Sequence, residues 1–352
     1  MSDLVADLLA GKHSALARVI TKIENRAPGY RDIVSALHQH TGHADVVGVT
    51  GSPGAGKSTL VDKVAAAYRK QGLTVGVIAI DPSSPYSGGA VLGDRIRMAS
   101  NAGDMDVFFR SMSARGSLGG LSTATTDAVT ALDAFGKDKI IVETVGAGQN
   151  EVDIVRTADT VAVLVPPGSG DDVQMLKAGI LEIGDVFVVN KADLDGADRT
   201  VQQLREMLQN RGDGGRSGRA DSGHHGPDQT AGEATEGDLA TNGAEDIDTW
   251  RPPIVETVAN RGEGVEGFLD ALADHGDFLD RTGRRDDQER ARFAAEIRTL
   301  LREDANGLVT RELERQGGLD RLVDDVVARE IDPYTVVDEV LAPLRDCLDR
   351  ET

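Results

Sequence analysis

Cysteine is almost absent from this sequence: Cys347 is the only one in 352 residues. With a single thiol, no intramolecular disulfide can form and no thiolate cluster can hold zinc. Positive charge is scarce as well. The 38 Lys and Arg stand against 59 Asp and Glu, for a formal net charge of -21. A surface so acidic repels phosphate backbones and anionic headgroups, which argues against a nucleic-acid-binding face and against docking on a membrane. Lysine is the scarcer of the two cations, found only at Lys12, Lys22, Lys57, Lys63, Lys70, Lys137, Lys139, Lys177 and Lys191. An acidic, lysine-poor surface fits a high-salt cytoplasm, a halophilic setting in which self-repulsion is screened. Long apolar runs are also missing. The opening MSDLVADLLAGKHSALARVI has no basic segment leading into an extended apolar one, so neither a signal peptide nor a membrane span is expected, and the protein reads as cytoplasmic.

What is present is a sizeable apolar fraction, 39%, and an ordered pattern of it with no internal repeat. Residues 1–45 carry helical periodicity: Leu4, Leu8, Leu16, Ile20 and Ile23 recur at near-helical spacing, and a second stretch runs from about Tyr30 to His40. Arg26-Ala27-Pro28-Gly29 between them reads as a turn. From 46 to 282, short apolar runs alternate with amphipathic segments. The runs are Val46–Thr50, Val75–Ile80, Lys139–Glu143, Thr160–Val165, Val186–Asn190 and Ile254–Val258. Buried runs alternating with helices predict an α/β fold with a mostly parallel central sheet flanked by helices. Residues 211–248 interrupt the pattern. They are rich in Gly, Asp and Glu, with little to bury, and read as a disordered acidic insertion between a helix at about 198–210 and the last strand. Residues 283–352 read as helical. Phe293, Ile297, Leu300, Leu301 and Leu308 suit one helix, and Asp332-Pro333 starts the last one with Asp332 as N-cap.

The stretch Gly51-Ser52-Pro53-Gly54-Ala55-Gly56-Lys57-Ser58 matches GxxxxGK[ST] in full, with a strand before it and a helix, Thr59 to Gln71, after it. In that context the glycines let successive backbone N–H groups face a phosphate, and the helix adds the positive end of its dipole. Lys57 reaches the β- and γ-phosphates and the Ser58 hydroxyl binds Mg2+. Asn190-Lys191-Ala192-Asp193 follows an apolar run as NKxD. The Asp193 carboxylate can accept from the guanine N1–H and N2–H together, Lys191 lays its stem over the base, and Asn190 ties the loop to the phosphate side. GTP and GDP are therefore the expected nucleotides. Val258 and Ala259 end the last strand, where a backbone N–H is expected to meet the guanine O6. Glu143-Thr144-Val145-Gly146 ends another run. Glu143 is expected to hold the Mg2+ shell and the Gly146 N–H to contact the γ-phosphate. Asp81 and Asp94 are further acidic candidates for the metal, and Gln149 is a candidate for positioning the attacking water.

Taken together, GVTGSPGAGKSTL, VIAIDPSSPYSGGAVLGDRIRM, ETVGAGQNEVDI and VLVPPGSGDDVQMLKAGILEIGDVFVVNKAD resemble the methylmalonyl-CoA mutase accessory GTPases, the MeaB/ArgK-like group of the SIMIBI-class P-loop GTPases. An older label calls them arginine/ornithine transport ATPases. The resemblance covers roughly 10–210 and 250–345. It implies a GTPase core flanked by an N-terminal helical extension (1–45) and a C-terminal helical dimerisation arm (283–352), and a homodimer. It also implies a chaperone that gates adenosylcobalamin delivery to an acyl-CoA mutase and protects that mutase. Carried onto this sequence, Lys57, Ser58, Asp81, Asp94 and Glu143 match the phosphate and Mg2+ positions, and Asn190, Lys191 and Asp193 the base reader. Pro166–Lys177 matches a switch loop that reports nucleotide state to the partner, with Gln174 and Lys177 as matching residues. The insertion at 211–248 is longer and more acidic than the family pattern, and with no fused mutase segment the partner is a separate chain.

Three other readings compete. A nickel-delivery GTPase for hydrogenase or urease shares the Glu-x-x-Gly strand, but such proteins carry Cys or His clusters. Here His38, His40 and His43 read better as a solvated helix end. A transport-coupled nucleotide hydrolase fits the older label, but the NKxD string disfavours adenine. The third is a module that holds nucleotide without turning it over.

Overall fold

The structure is a computed structural model of the 352-residue chain, and it describes residues 2–81, 103–113, 123–144, 154–168, 178–214 and 249–349. Seven strands form the sheet: β1 (Asp45–Gly51), β2 (Val75–Asp81), β3 (Val107–Ser113), β4 (Lys139–Thr144), β5 (Thr160–Val165), β6 (Val186–Asn190) and β7 (Ile254–Thr257). They pair in the order β3-β2-β4-β1-β5-β6-β7, every pair parallel. The near-continuous apolar runs follow from this, because a central parallel strand is covered on both faces. Alternate residues separate cleanly. Val46, Ile78, Ile140, Val142, Val163 and Phe187 join one cluster, while Val47, Val49, Val77, Ile141, Leu164 and Val188 join the other.

The first face is covered by α1 (Ser2–Leu9), α2 (His13–Glu24), α3 (Tyr30–His38), α5 (Thr123–Ala134) and α7 (Ala197–Gly214). Leu8, Leu16, Ile20, Ile23 and Leu37 are fully buried there, each stabilising by roughly 1.5–3 kcal/mol. The N-terminal helices therefore share the core of the sheet domain rather than forming a body of their own. The second face is covered by α4 (Lys57–Lys70) and α8 (Val265–Thr282), through Leu60, Val61, Val64, Phe268, Leu269 and Leu272. A short α6 (Ala178–Ile183) precedes β6.

The strand β3 was not read from the sequence. It sits at the edge of the sheet, and Val107 through Ser111 are only half-buried. An edge strand needs no continuous apolar run, and Arg110-Ser111 breaks the signal. Helix α7 also runs four residues past the expected end at 210, to Gly214, while 215–248 lie outside the described residues.

The chain divides into two compact units, 1–286 and 287–352. The C-terminal unit is helical, carrying most of α9 (Arg284–Arg315) and all of α10 (Leu319–Val327) and α11 (Pro333–Asp349). Asp332 caps α11 as expected: Oδ1 accepts from the N–H of Tyr334 at 2.9 Å and of Thr335 at 3.2 Å.

Candidate nucleotide-binding site

The site lies at the carboxyl ends of the strands. β1 delivers the chain to a loop whose shape depends on two glycines. Gly51 has φ 133°, and a Cβ there would stand 2.1 Å from the carbonyl oxygen of Leu164 on β5. Gly56 has φ 91°, and its Cβ would stand 2.4 Å from Asn190 Nδ2. The loop is a tight cradle with no room for side chains at these points. Helix α4 then starts at Lys57 with no side-chain cap and no acidic residue in its first turn. A helix that starts this way offers its leading N–H groups and dipole to an anion.

Lys57, 7% exposed, donates to the carbonyls of Gly51 at 2.7 Å and Ser52 at 3.0 Å. Two of its hydrogen bonds thus end on loop carbonyls that a phosphate oxygen can replace. The Ser58 hydroxyl donates to Glu143 Oε1 at 2.5 Å. Glu143 is 3% exposed and is the last residue but one of β4, opposite Val49 of β1. Beside this pair, the Thr144 hydroxyl donates to that of Thr50 at 2.9 Å. A hydroxyl and a carboxylate meeting at the phosphate end form a hard-oxygen donor set that fits Mg2+. Asp81 ends β2, one residue past the Ile80↔Thr144 pair, so its backbone reaches the same end of the sheet. Asp94, Gly146, Gln149, Gln174 and Lys177 lie outside the described residues.

The base side is tied to the phosphate side through one buried residue. Asn190 Nδ2 donates to the carbonyl of Ala55 at 2.7 Å, and Oδ1 accepts from the Thr257 hydroxyl at 3.0 Å and the Ala259 N–H at 3.1 Å. One side chain therefore joins the loop after β1, the end of β6 and the end of β7. Lys191, at φ 63°, lays its stem back so that Nζ donates to the carbonyl of Gly54 at 2.9 Å. Pro53 and Thr59 sit in the loop and the first turn of α4. The N–H groups of Val258 and Ala259, expected to face a base, are engaged inside the protein, with Glu263 O at 3.0 Å and Asn190 Oδ1 at 3.1 Å. Asp193 has a neighbour the sequence did not single out: Arg261 Nη2 lies 3.4 Å from its Oδ2. No motif marks Arg261. Only its place in the turn after β7 could have pointed to it.

A parallel sheet, a glycine cradle at the start of a helix, a buried lysine, a Ser–Glu pair and a linked base-reader loop define a P-loop nucleotide hydrolase. Residues 16–314 match the family described as Methylmalonyl Co-A mutase-associated GTPase MeaB. A Pyrococcus abyssi relative that carries a GTPase name is 45% identical over 341 residues, covering 97% of this chain and 96% of that one. GTPase ArgK of Escherichia coli is 38% identical over 199 residues, 55% of this chain and 60% of that one. A crystal structure described as LAO/AO transport system kinase has the same fold, with TM-score 0.63 at 21% identity over 98% of this chain and 97% of that one. The chain belongs to the MeaB family and is a GTPase.

Proposed function

We propose that this protein is a Mg2+-dependent GTPase that acts as chaperone to an adenosylcobalamin-dependent acyl-CoA mutase of the methylmalonyl-CoA type, gating cofactor delivery and protecting the mutase. The family match over residues 16–314 carries the partner class. The pairing of Ser58 with Glu143 at the phosphate end carries the hydrolytic reading. In this reading the loop N–H groups and the start of α4 bind the β-phosphate, Lys57 exchanges its carbonyl partners for β- and γ-phosphate oxygens, and Ser58 and Glu143 hold the metal with Asp81 and Asp94. Bound Mg2+ neutralises charge on the transferring phosphoryl group. Asp193 accepts the two ring-edge N–H groups of guanine, Asn190 keeps that carboxylate in register with the loop, and Gly146 and Gln149 belong to the γ-phosphate side. Gln174 and Lys177 belong to the partner-facing switch.

The C-terminal unit supports a homodimer. Ile297, Leu301, Val327 and Tyr334 are 57%, 64%, 74% and 85% exposed, an apolar display that needs cover. No helix among the described residues is long and apolar enough to cross a membrane, and we place the protein in the cytoplasm. The nickel-delivery reading has little support here. Among the described residues no three His, Cys, Asp or Glu side chains stand together to hold a cargo ion, and His38 at the end of α3, like His40 and His43 just beyond it, is exposed.

The test is phosphate release from GTP and from ATP in high salt with Mg2+, with and without an acyl-CoA mutase from the same source. Turnover of GTP alone, accelerated severalfold by the mutase and abolished by chelation of Mg2+, is the expected result. GTP turnover indifferent to the mutase removes the partner assignment, and a preference for ATP removes the reading of Asn190 to Asp193.

A further inference from the structure

The strands β6 and β7 run side by side with Asn190 opposite Thr257, so the turns that follow them leave the sheet as neighbours. The first carries Asp193. The second is the one-turn helix Ala259–Arg261. Both are pinned: the Ala192 N–H donates to Thr257 O at 3.0 Å, and the Arg261 N–H to Val258 O at 2.9 Å. Asn190 holds the second turn through the Ala259 N–H, at 3.1 Å. Arg261 is thus placed by the same residue that registers the phosphate loop.

Its guanidinium meets Asp193 at one point, Nη2 to Oδ2, 3.4 Å apart, with the two side chains 57% and 28% exposed. That separation is longer than a good hydrogen bond, so the contact is one of charge, and it leaves in-plane lone pairs on both carboxylate oxygens for a ligand. Lys191, the nearer cation in sequence, has its ammonium on the Gly54 carbonyl. In water an exposed pair of this kind contributes little. Under a bound base the same pair loses its water, the effective dielectric falls and the charge counts for more. A carboxylate covered by a base without a neighbouring cation would bear the full cost of desolvation.

We propose that Arg261 is a positioning residue of the base site: it holds the Asp193 carboxylate toward the base and shares its charge when a guanine ring covers it. This rests on the reading of Asn190-Lys191-Ala192-Asp193 as a guanine reader, and the test separates the two. Binding of GDP and of xanthosine diphosphate to the whole chain with Mg2+ is measured by calorimetry, with thermal melting alongside. Xanthine carries a carbonyl where guanine carries the exocyclic amine, so Asp193→Asn should turn the preference from GDP to the xanthosine nucleotide. Arg261→Ala should weaken GDP binding about threefold to tenfold, Arg261→Lys should restore most of it, and Arg261→Gln should not. With Asp193→Asn in place, Arg261→Ala should change xanthosine diphosphate binding by less than about twofold, because the charge it answers is gone. Arg261→Ala binding GDP as well as the parent overturns the proposal, and so does an equal loss of both nucleotides in the two backgrounds. If Asp193→Asn leaves the preference on GDP, the reader assignment itself fails, and the role of Arg261 with it.

Discussion

The two ends of the sheet are both rich in buried polar groups, yet they use them in opposite ways. At the amino ends of the strands, carboxylates accept backbone N–H groups. Asp133 takes those of Gly42, His43 and Ala44 at 2.7, 3.2 and 3.1 Å. Asp159 takes that of Val46 at 2.8 Å, and Asp185 that of Val161 at 2.8 Å. Arg285 stands among these acids, 3.5 Å from Asp45 and 3.6 Å from Asp159. At the carboxyl ends the buried donors Lys57 and Asn190 hydrogen-bond the backbone carbonyls of Gly51, Ser52 and Ala55. A carboxylate on N–H groups is a strong, charge-assisted contact with nothing to gain by letting go. An ammonium on carbonyls exchanges readily for a phosphate oxygen of full charge. One end fixes the strands, and the other is poised for a ligand.

The largest break in this contrast is Lys57→Ala. It should lower GTP turnover by at least about 100-fold, because a preorganised cation at the transferring group is lost. The melting temperature should hold or rise, since a buried charge is removed. Phosphate release and a thermal melt read both, and a parallel loss of stability would show that Lys57 serves the fold. Asn190→Ala comes next and should blur the two ends. It removes three buried hydrogen bonds, costing about 2–3 kcal/mol of stability, and it weakens GDP binding as the loops lose their common register. Urea unfolding and calorimetry on the same variant give the two numbers. Asp133→Asn is the counterpart at the fixing end. The amide keeps one acceptor and turns a donor toward the N–H groups of the incoming β1 segment, so about 2 kcal/mol should be lost. Nucleotide affinity, measured where the variant is folded, should stay within about twofold.

The same contrast explains what the sequence disclosed. The ligand end is built from contiguous strings, eight residues from Gly51 to Ser58 and four from Asn190 to Asp193, and each string carries its own chemistry at fixed spacing. The long buried runs of β1, β4, β5 and β6 were legible for a similar reason, because burial on both faces forces an unbroken apolar stretch. The edge strand β3 lacked that pressure. The fixing end was silent. Asp133 meets Ala44 across 89 positions and Asp159 meets Val46 across 113, and a lone aspartate at a strand or helix terminus has no local mark. Arg261 was hidden in the same way, its partner Asp193 being brought to it only by the pairing of β6 with β7.

The smallest expected effect tests whether the fixing end tolerates a proton. His275 on α8 is 2% exposed. Its Nδ1 lies 2.8 Å from the Thr160 hydroxyl, its Nε2 3.5 Å from Asp185, and its ring 4.8 Å from that of Trp250, the only tryptophan in the chain. Burial, and then the charge of Arg285, push its pKa down from 6.5 to about 4. The imidazole is therefore neutral in the folded chain and takes a proton more readily when unfolded. Its contribution to stability is complete above pH 6.5 and is lost as pH falls toward 4. A shift of that size at face value exceeds 3 kcal/mol, but Asp185 stands close enough to stabilise the imidazolium, so about 1–2 kcal/mol is expected. Unfolding followed by Trp250 emission between pH 7 and 4 should show the wild type losing that much more than His275→Gln, which cannot take up the proton. Equal slopes for the two chains would mean that acid enters the fixing end through its carboxylates alone.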